Sequence, residues 1–121
     1  MNSKHILEEL INRYTHLKHL QMTVLNTVEA IVKTFRNRGK VLVCGNGGSC
    51  SDADHIVGEL MKSFEGQRPT EKSLQEKLKE LSPERGKLLA EKLQQGLPAI
   101  SLTAHNALIT AITNDIGGEM I

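Results

Sequence analysis

The chain has 121 residues, with 15 Lys+Arg against 14 Asp+Glu and a net charge of +1, which suits one small domain and excludes charge-driven attraction to nucleic acid or an anionic membrane. Apolar residues make up 39% and charged ones 24%, no apolar run reaches the ~18 residues of a membrane span, and Met1 to Leu10 lacks the apolar core of a secretory signal, so a cytoplasmic protein is expected. Three aromatics, Tyr14, Phe35 and Phe64, offer little for stacking bases, and Cys44 and Cys50 form neither a disulfide framework nor a Cys-x-x-Cys pair.

In chain order, Ile6, Leu10, Tyr14, Leu17, Leu20, Val24, Val28, Ile31 and Phe35 recur at steps of three and four, the stripe of one long helix or of two in series. Asn2 or Ser3 can cap its start, and Arg36-Asn37-Arg38-Gly39 reads as a basic last turn closed by glycine. This stripe is longer than two short strands and a helix can cover, so a helical interface in a homo-oligomer, a dimer or tetramer, is expected. Val41 to Cys44 is a short continuous apolar run, the form of a strand buried on both faces of a parallel sheet. Gly45-Asn46-Gly47-Gly48-Ser49 breaks it, and helical spacing resumes through Asp52, Ala53, His55, Ile56, Val57, Leu60 and Met61.

Glu65 to Gln95 is rich in Lys, Glu, Gln and Leu. Its leucines predict two amphipathic helices with Pro83 opening the second, and its alternating charges read as a solvated face. Pro98 to Thr103 predicts a second strand, followed by a helix with Ala107, Leu108, Ala111 and Ile112 as its inner face, ending near Asn114. Two parallel strands do not close a core, so further strands or a partner chain are expected at the open edge. The organisation expected is one partial α/β domain over 1–121, with an N-terminal helical segment over 1–38 and a charged helical insertion over 65–97.

A strand that enters a glycine-rich turn and then a helix gathers backbone N–H groups and the positive end of a helix dipole, where a small polar or anionic ligand can sit. The turn is neither a dinucleotide fingerprint, which would need glycine where Cys50 stands, nor a P-loop, which would need Gly-Lys-Ser/Thr where Gly48-Ser49 stands. A tight turn without a ligand has the same composition, but Asn46 and Ser49 add side chains that can reach a ligand. On the following helix His55 and Glu59 stand four apart, with Asp52 on the same side. Such a pair can be two ligands of a divalent metal, an acid and base for proton transfer, or a hydrogen-bonded surface pair. His16 and His19 are expected to face solvent.

The run from Val41 to Leu60 resembles the phosphoheptose isomerase branch of the sugar isomerase (SIS) fold, and Pro98–Thr103 with Leu108–Gly117 resemble that family's second strand and Asn-Asp loop. The resemblance implies a flavodoxin-like α/β fold, a three-layer parallel sheet flanked by helices, of which the N-terminal part is present. It also implies interconversion of sedoheptulose 7-phosphate and an aldoheptose phosphate, in homotetramers with sites at subunit interfaces and with zinc. By position, Asn46, Gly47, Gly48, Ser49, Glu59, Asn114 and Asp115 would bind the phosphorylated sugar; His55 and Glu59 would hold the metal, with Glu59 also the proton-transfer base. The family's phosphate-holding Ser/Thr loop and its later Gln and His do not occur in this sequence, so these 121 residues alone are expected to be inactive. The alternative from another class is a non-catalytic SIS module that binds phosphosugars or regulates replication. Ala104-His105-Asn106 replaces the family's Asp-Asn helix start, which makes His105 a capping or surface residue.

Overall fold

The apolar stripe at the start of the chain folds as two helices in series, α1 (Ser3–Arg13) and α2 (Gln21–Arg36), joined by a 3-10 helix over Thr15–Leu20. They form the first of two compact units, Met1–Val41 and Leu42–Ile121, in a computed structural model that describes residues 3–121. Asn2, one of the two expected caps, lies outside the described residues. Tyr14 ends the first helical run: its backbone sits at φ −126°, ψ 71°, and its ring meets that of His16 edge-on at 6.2 Å. Within α1 the buried residue is Leu7, at 5% exposure, while Ile6 is exposed. Ile6 is half-exposed, yet with Leu7, Leu10, Val24, Leu25 and Val28 it lines an apolar cavity of about 300 Å³ between the two helices, so the expected stripe does face α2, with Leu7 added as its most buried member.

The end of α2 differs from the expected glycine stop. Arg38 N–H donates to the Phe35 carbonyl at 3.0 Å and Gly39 N–H to the Thr34 carbonyl at 2.8 Å, the paired bonds of a Schellman closure. The left-handed position is therefore Arg38, at φ 57°, one residue before the glycine. Gly39 serves a different need, since a Cβ there would stand 3.0 Å from the Thr34 carbonyl oxygen.

In the second unit, β1 (Val41–Val43) and β2 (Ala99–Ser101) pair as a two-stranded parallel sheet, with Leu102 N–H donating to the Val43 carbonyl at 2.8 Å. Both strands are shorter than their apolar runs. The first is also not buried on both faces: Val41 and Val43 are half-buried and Leu42 is 56% exposed. α3 (Gly48–Met61) packs on β2, and the small side chains Ala53 and Ala99 are buried in this unit.

The charged segment forms the helical hairpin α4 (Lys72–Leu81) and α5 (Pro83–Lys92), with Pro83 in the first turn as the sequence predicts. Only Ser82 separates the helices, and the α5 residues they bury are Gly86 and Ala90. The last helix, α6 (Asn106–Asp115), is capped by His105, whose Nδ1 accepts the Leu108 N–H at 3.3 Å. Of the expected inner face, Ile112 is half-buried and Ile109 joins it, whereas Ala107, Leu108 and Ala111 are exposed.

Among the described residues no large side chain is fully buried, and Ile100, Leu102 and Leu108 stand exposed beside the sheet and α6. Two strands and their helices leave apolar faces uncovered, as the physics of parallel sheets requires.

Candidate functional site

β1 delivers the chain into the loop Cys44–Gly47, and α3 begins at Gly48. Two glycines are required by the backbone. A Cβ at Gly45 would overlap the Ser49 carbonyl, so only glycine lets strand and helix start approach this closely. Gly47, the residue before the helix, sits at φ 57°, ψ −125°, a conformation that side chains disfavour. Gly48 has open space within 4 Å of the position a Cβ would take, which leaves its backbone approachable. The Ser49 and Cys50 N–H groups turn back onto the Asn46 and Gly47 carbonyls, each at 3.1 Å, so part of the donor set expected for a ligand is used within the turn. No side chain caps α3, and Asn46 and Ser49 are both exposed.

About two and three turns further along α3, His55 Nε2 stands 3.8 Å from Glu59 Oε1, with the two side chains 78% and 40% exposed. The helical rise that spaces i and i+4 residues one turn apart brings them together. The same pairing occurs on α1, where His5 Nε2 lies 3.8 Å from Glu9 Oε1. Spacing and distance therefore do not set His55 and Glu59 apart; their place after the glycine turn does.

Tetrahedral zinc with donors at about 2.0 Å holds two ligands about 3.3 Å from each other, so a small rotamer change from 3.8 Å would let both bind. Among the described residues, however, no group of three or more His, Cys, Asp or Glu is placed to hold an ion. His55 and Glu59 bring two donor atoms within reach of one point, fewer than a zinc ion needs.

Asn114 and Asp115 close α6, where Asn114 Nδ2 donates to Asp115 Oδ1 at 2.9 Å. Both are exposed, and among the described residues no hydrogen bond or ion pair joins them to the glycine turn or to His55 and Glu59. His19 Nδ1 lies 2.9 Å from the His16 carbonyl, so these histidines make a local surface contact. Cys44 is exposed and Cys50 half-buried, and both are free thiols.

Sequence reasoning missed Arg68. Its guanidinium donates from Nη2 to the Glu59 and Leu60 carbonyls at 3.2 and 2.6 Å, and from Nε to the Gln95 carbonyl at 3.0 Å. Gln94 Oε1 accepts from Arg68 N–H at 3.3 Å and lies 2.8 Å from Ser63 Oγ, whose single hydroxyl proton is shared between Gln94 Oε1 and the Gly66 carbonyl. These partners lie up to 31 residues apart along the chain, where no local periodicity signals them. No helix among the described residues is long and apolar enough to cross a membrane.

Comparison with known proteins gives one family model and a set of relatives. The model of the SIS domain matches residues 5–99, a span that holds the glycine turn, His55, Glu59 and the α4–α5 hairpin. Phosphoheptose isomerase from a Roseiflexus species is 36% identical over 98 residues, covering 81% of this chain and 36% of the relative. Phosphoheptose isomerase from Laribacter hongkongensis is 31% identical over 117 residues, covering 97% of this chain and 46% of the relative. That of Helicobacter pylori strain P12 is 33% identical over 105 residues, covering 87% and 41%. The chain thus spans less than half the length of these curated relatives.

Proposed function

This chain belongs to the SIS domain family, and from that we propose that it supplies one part of a phosphosugar isomerase that interconverts sedoheptulose 7-phosphate and an aldoheptose phosphate. The observation that carries the reading is the pair His55 and Glu59 at 3.8 Å on the helix that the glycine turn opens. Moving a carbonyl from C2 to C1 of a sugar needs a base to take a proton from C1 and return one to C2, while a proton passes between the two oxygens. Glu59 Oε1 is that base. Asn46, Gly47, Gly48 and Ser49, with Asn114 and Asp115, hold the sugar, where the open Gly48 backbone and the exposed amide and hydroxyl side chains meet its hydroxyls. His55 and Glu59 are half of a zinc site, and zinc bound there would polarise the carbonyl oxygen. Remaining metal and phosphate ligands come from outside these residues, so the 121-residue chain alone leaves sedoheptulose 7-phosphate unconverted over hours.

The same reading completes the two-stranded sheet into a three-layer parallel α/β domain in a cytoplasmic homo-oligomer. Segment 1–38 is its helical interface, and segment 65–97 an insertion that follows the helix bearing Glu59. Support comes from the exposed apolar residues Met22, Val28 and Val32 on α2 and Leu42, Ile100 and Leu102 at the sheet.

The experiment is Glu59→Gln in a form of the protein that converts sedoheptulose 7-phosphate, with Glu9→Gln as the twin control on α1. Loss of a general base lowers kcat by about 10²-fold or more with KM little changed. Undiminished turnover in Glu59→Gln would remove Glu59 as the base, whereas a form that carries the completing residues and binds the sugar phosphate without converting it would be the non-catalytic module.

A further inference from the structure

We infer that Arg68 is a positioning residue for Glu59: it fastens the last turn of α3 to the backbone that leads into β2, and so keeps the Glu59 carboxylate opposite His55. This rests on the role of Glu59 proposed above. The last four carbonyls of a helix have no partner within it, and a cation at that end is favoured by the helix dipole. α3 has no basic residue in its last turn, and the residue after it, Lys62, is extended at φ −139°, ψ 114°. Arg68 reaches in from outside the helix and bonds the carbonyl of Glu59 itself and that of Leu60.

The anchor on the other side is equally defined. Gln95 N–H donates to the Arg68 carbonyl at 2.6 Å, Leu97 N–H to the Leu60 carbonyl at 2.8 Å, and Pro69 bridges Gln94 in antiparallel fashion. The two chain ends of the α4–α5 hairpin are thereby tied to each other and to α3. A planar guanidinium suits this task because two of its nitrogens serve carbonyls on two different segments at once, which a lysine ammonium cannot reproduce with fixed geometry. Among the described residues the Glu59 carboxylate has His55 as its one charged partner. Its direction is consequently set by the backbone of its own turn, the turn that Arg68 holds.

The test uses the 121-residue chain in NMR, as wild type, Glu59→Gln, Arg68→Ala, Arg68→Lys and the two double variants with Glu59→Gln. The change in the His55 ring shifts on Glu59→Gln reports the pairing without any metal or substrate. Arg68→Ala is expected to abolish that change and to speed exchange of the Lys62 and Leu97 amides by about tenfold while His55 and Ile56 amides exchange as before, the pattern of local opening. Arg68→Lys is expected to restore part of both effects. If Arg68→Ala speeds exchange but leaves the Glu59-dependent His55 shift intact, Arg68 is only structural and the inference fails. It fails too if neither quantity moves, if exchange rises uniformly along α3, or if Glu59→Gln leaves the His55 shifts of the wild type unchanged. Failure of the catalytic reading shows separately, as undiminished turnover in Glu59→Gln.

Discussion

Gly86→Ala tests the packing of the α4–α5 hairpin by the sign of its effect. In an isolated helix the change is favourable by about 1 kcal/mol, because alanine is the better helix former. Here the new Cβ would overlap the Leu78 carbonyl and stand 3.1 Å from Lys79 Cα. Both neighbours are backbone, so neither can rotate away; either α5 shifts off α4 or the one-residue turn at Ser82 opens. Overpacking of this kind costs about 1–3 kcal/mol, so after the gain in propensity the hairpin should lose up to about 2 kcal/mol, a factor of up to about 30 in its opening equilibrium. Native-state exchange of the Leu89 and Ala90 amides reads that factor directly. Gly58→Ala is the matched control, since nothing lies within 4 Å of its Cβ position on α3. There the helix-propensity gain of about 1 kcal/mol should appear unopposed, as about fivefold slower exchange in α3. Slower exchange in α5 of Gly86→Ala would refute the close crossing.

Arg38→Gly removes a side chain from the left-handed position at φ 57°; relief of about 1–2 kcal/mol, less about 0.5–1 kcal/mol of added unfolded-state entropy, should stabilise the end of α2, measured as slower exchange of the Arg38 and Gly39 amides. His55→Ala with Glu59→Gln should reduce the zinc retained after dialysis by a form of the protein that carries the completing ligands, by metal analysis; unchanged zinc would remove the pair from the ligand set. Sedimentation should find the protein as a dimer or tetramer, held through the α1–α2 face that leaves Met22, Val28 and Val32 exposed, and a monomer at high concentration would contradict that interface.

Local signals in the chain determined most of the elements. A glycine turn after an apolar run, Pro83 after a leucine-spaced helix and a step-of-three-and-four stripe each act through the backbone of neighbouring residues, so they read correctly without a partner. The candidate pair was legible for the same reason: i and i+4 on one helix meet whatever the rest of the fold does. The identical geometry at His5 and Glu9 shows the limit of that signal. What covers each face was not legible, because burial depends on which element packs where. Thus Leu7 is buried more deeply than Ile6 beside the same cavity, Ile109 rather than Leu108 is covered on α6, and Leu42 remains open. Arg38 occupies the left-handed position because the two closing bonds place it there, not because of residue preference. Arg68 and Gly86 have no signature in sequence at all: one meets carbonyls 8 and 27 residues away, the other meets the end of a separate helix. The first set exists only once the two ends of the hairpin meet the helix that bears Glu59, the second only once α4 and α5 pack on each other, and tertiary structure alone decides both.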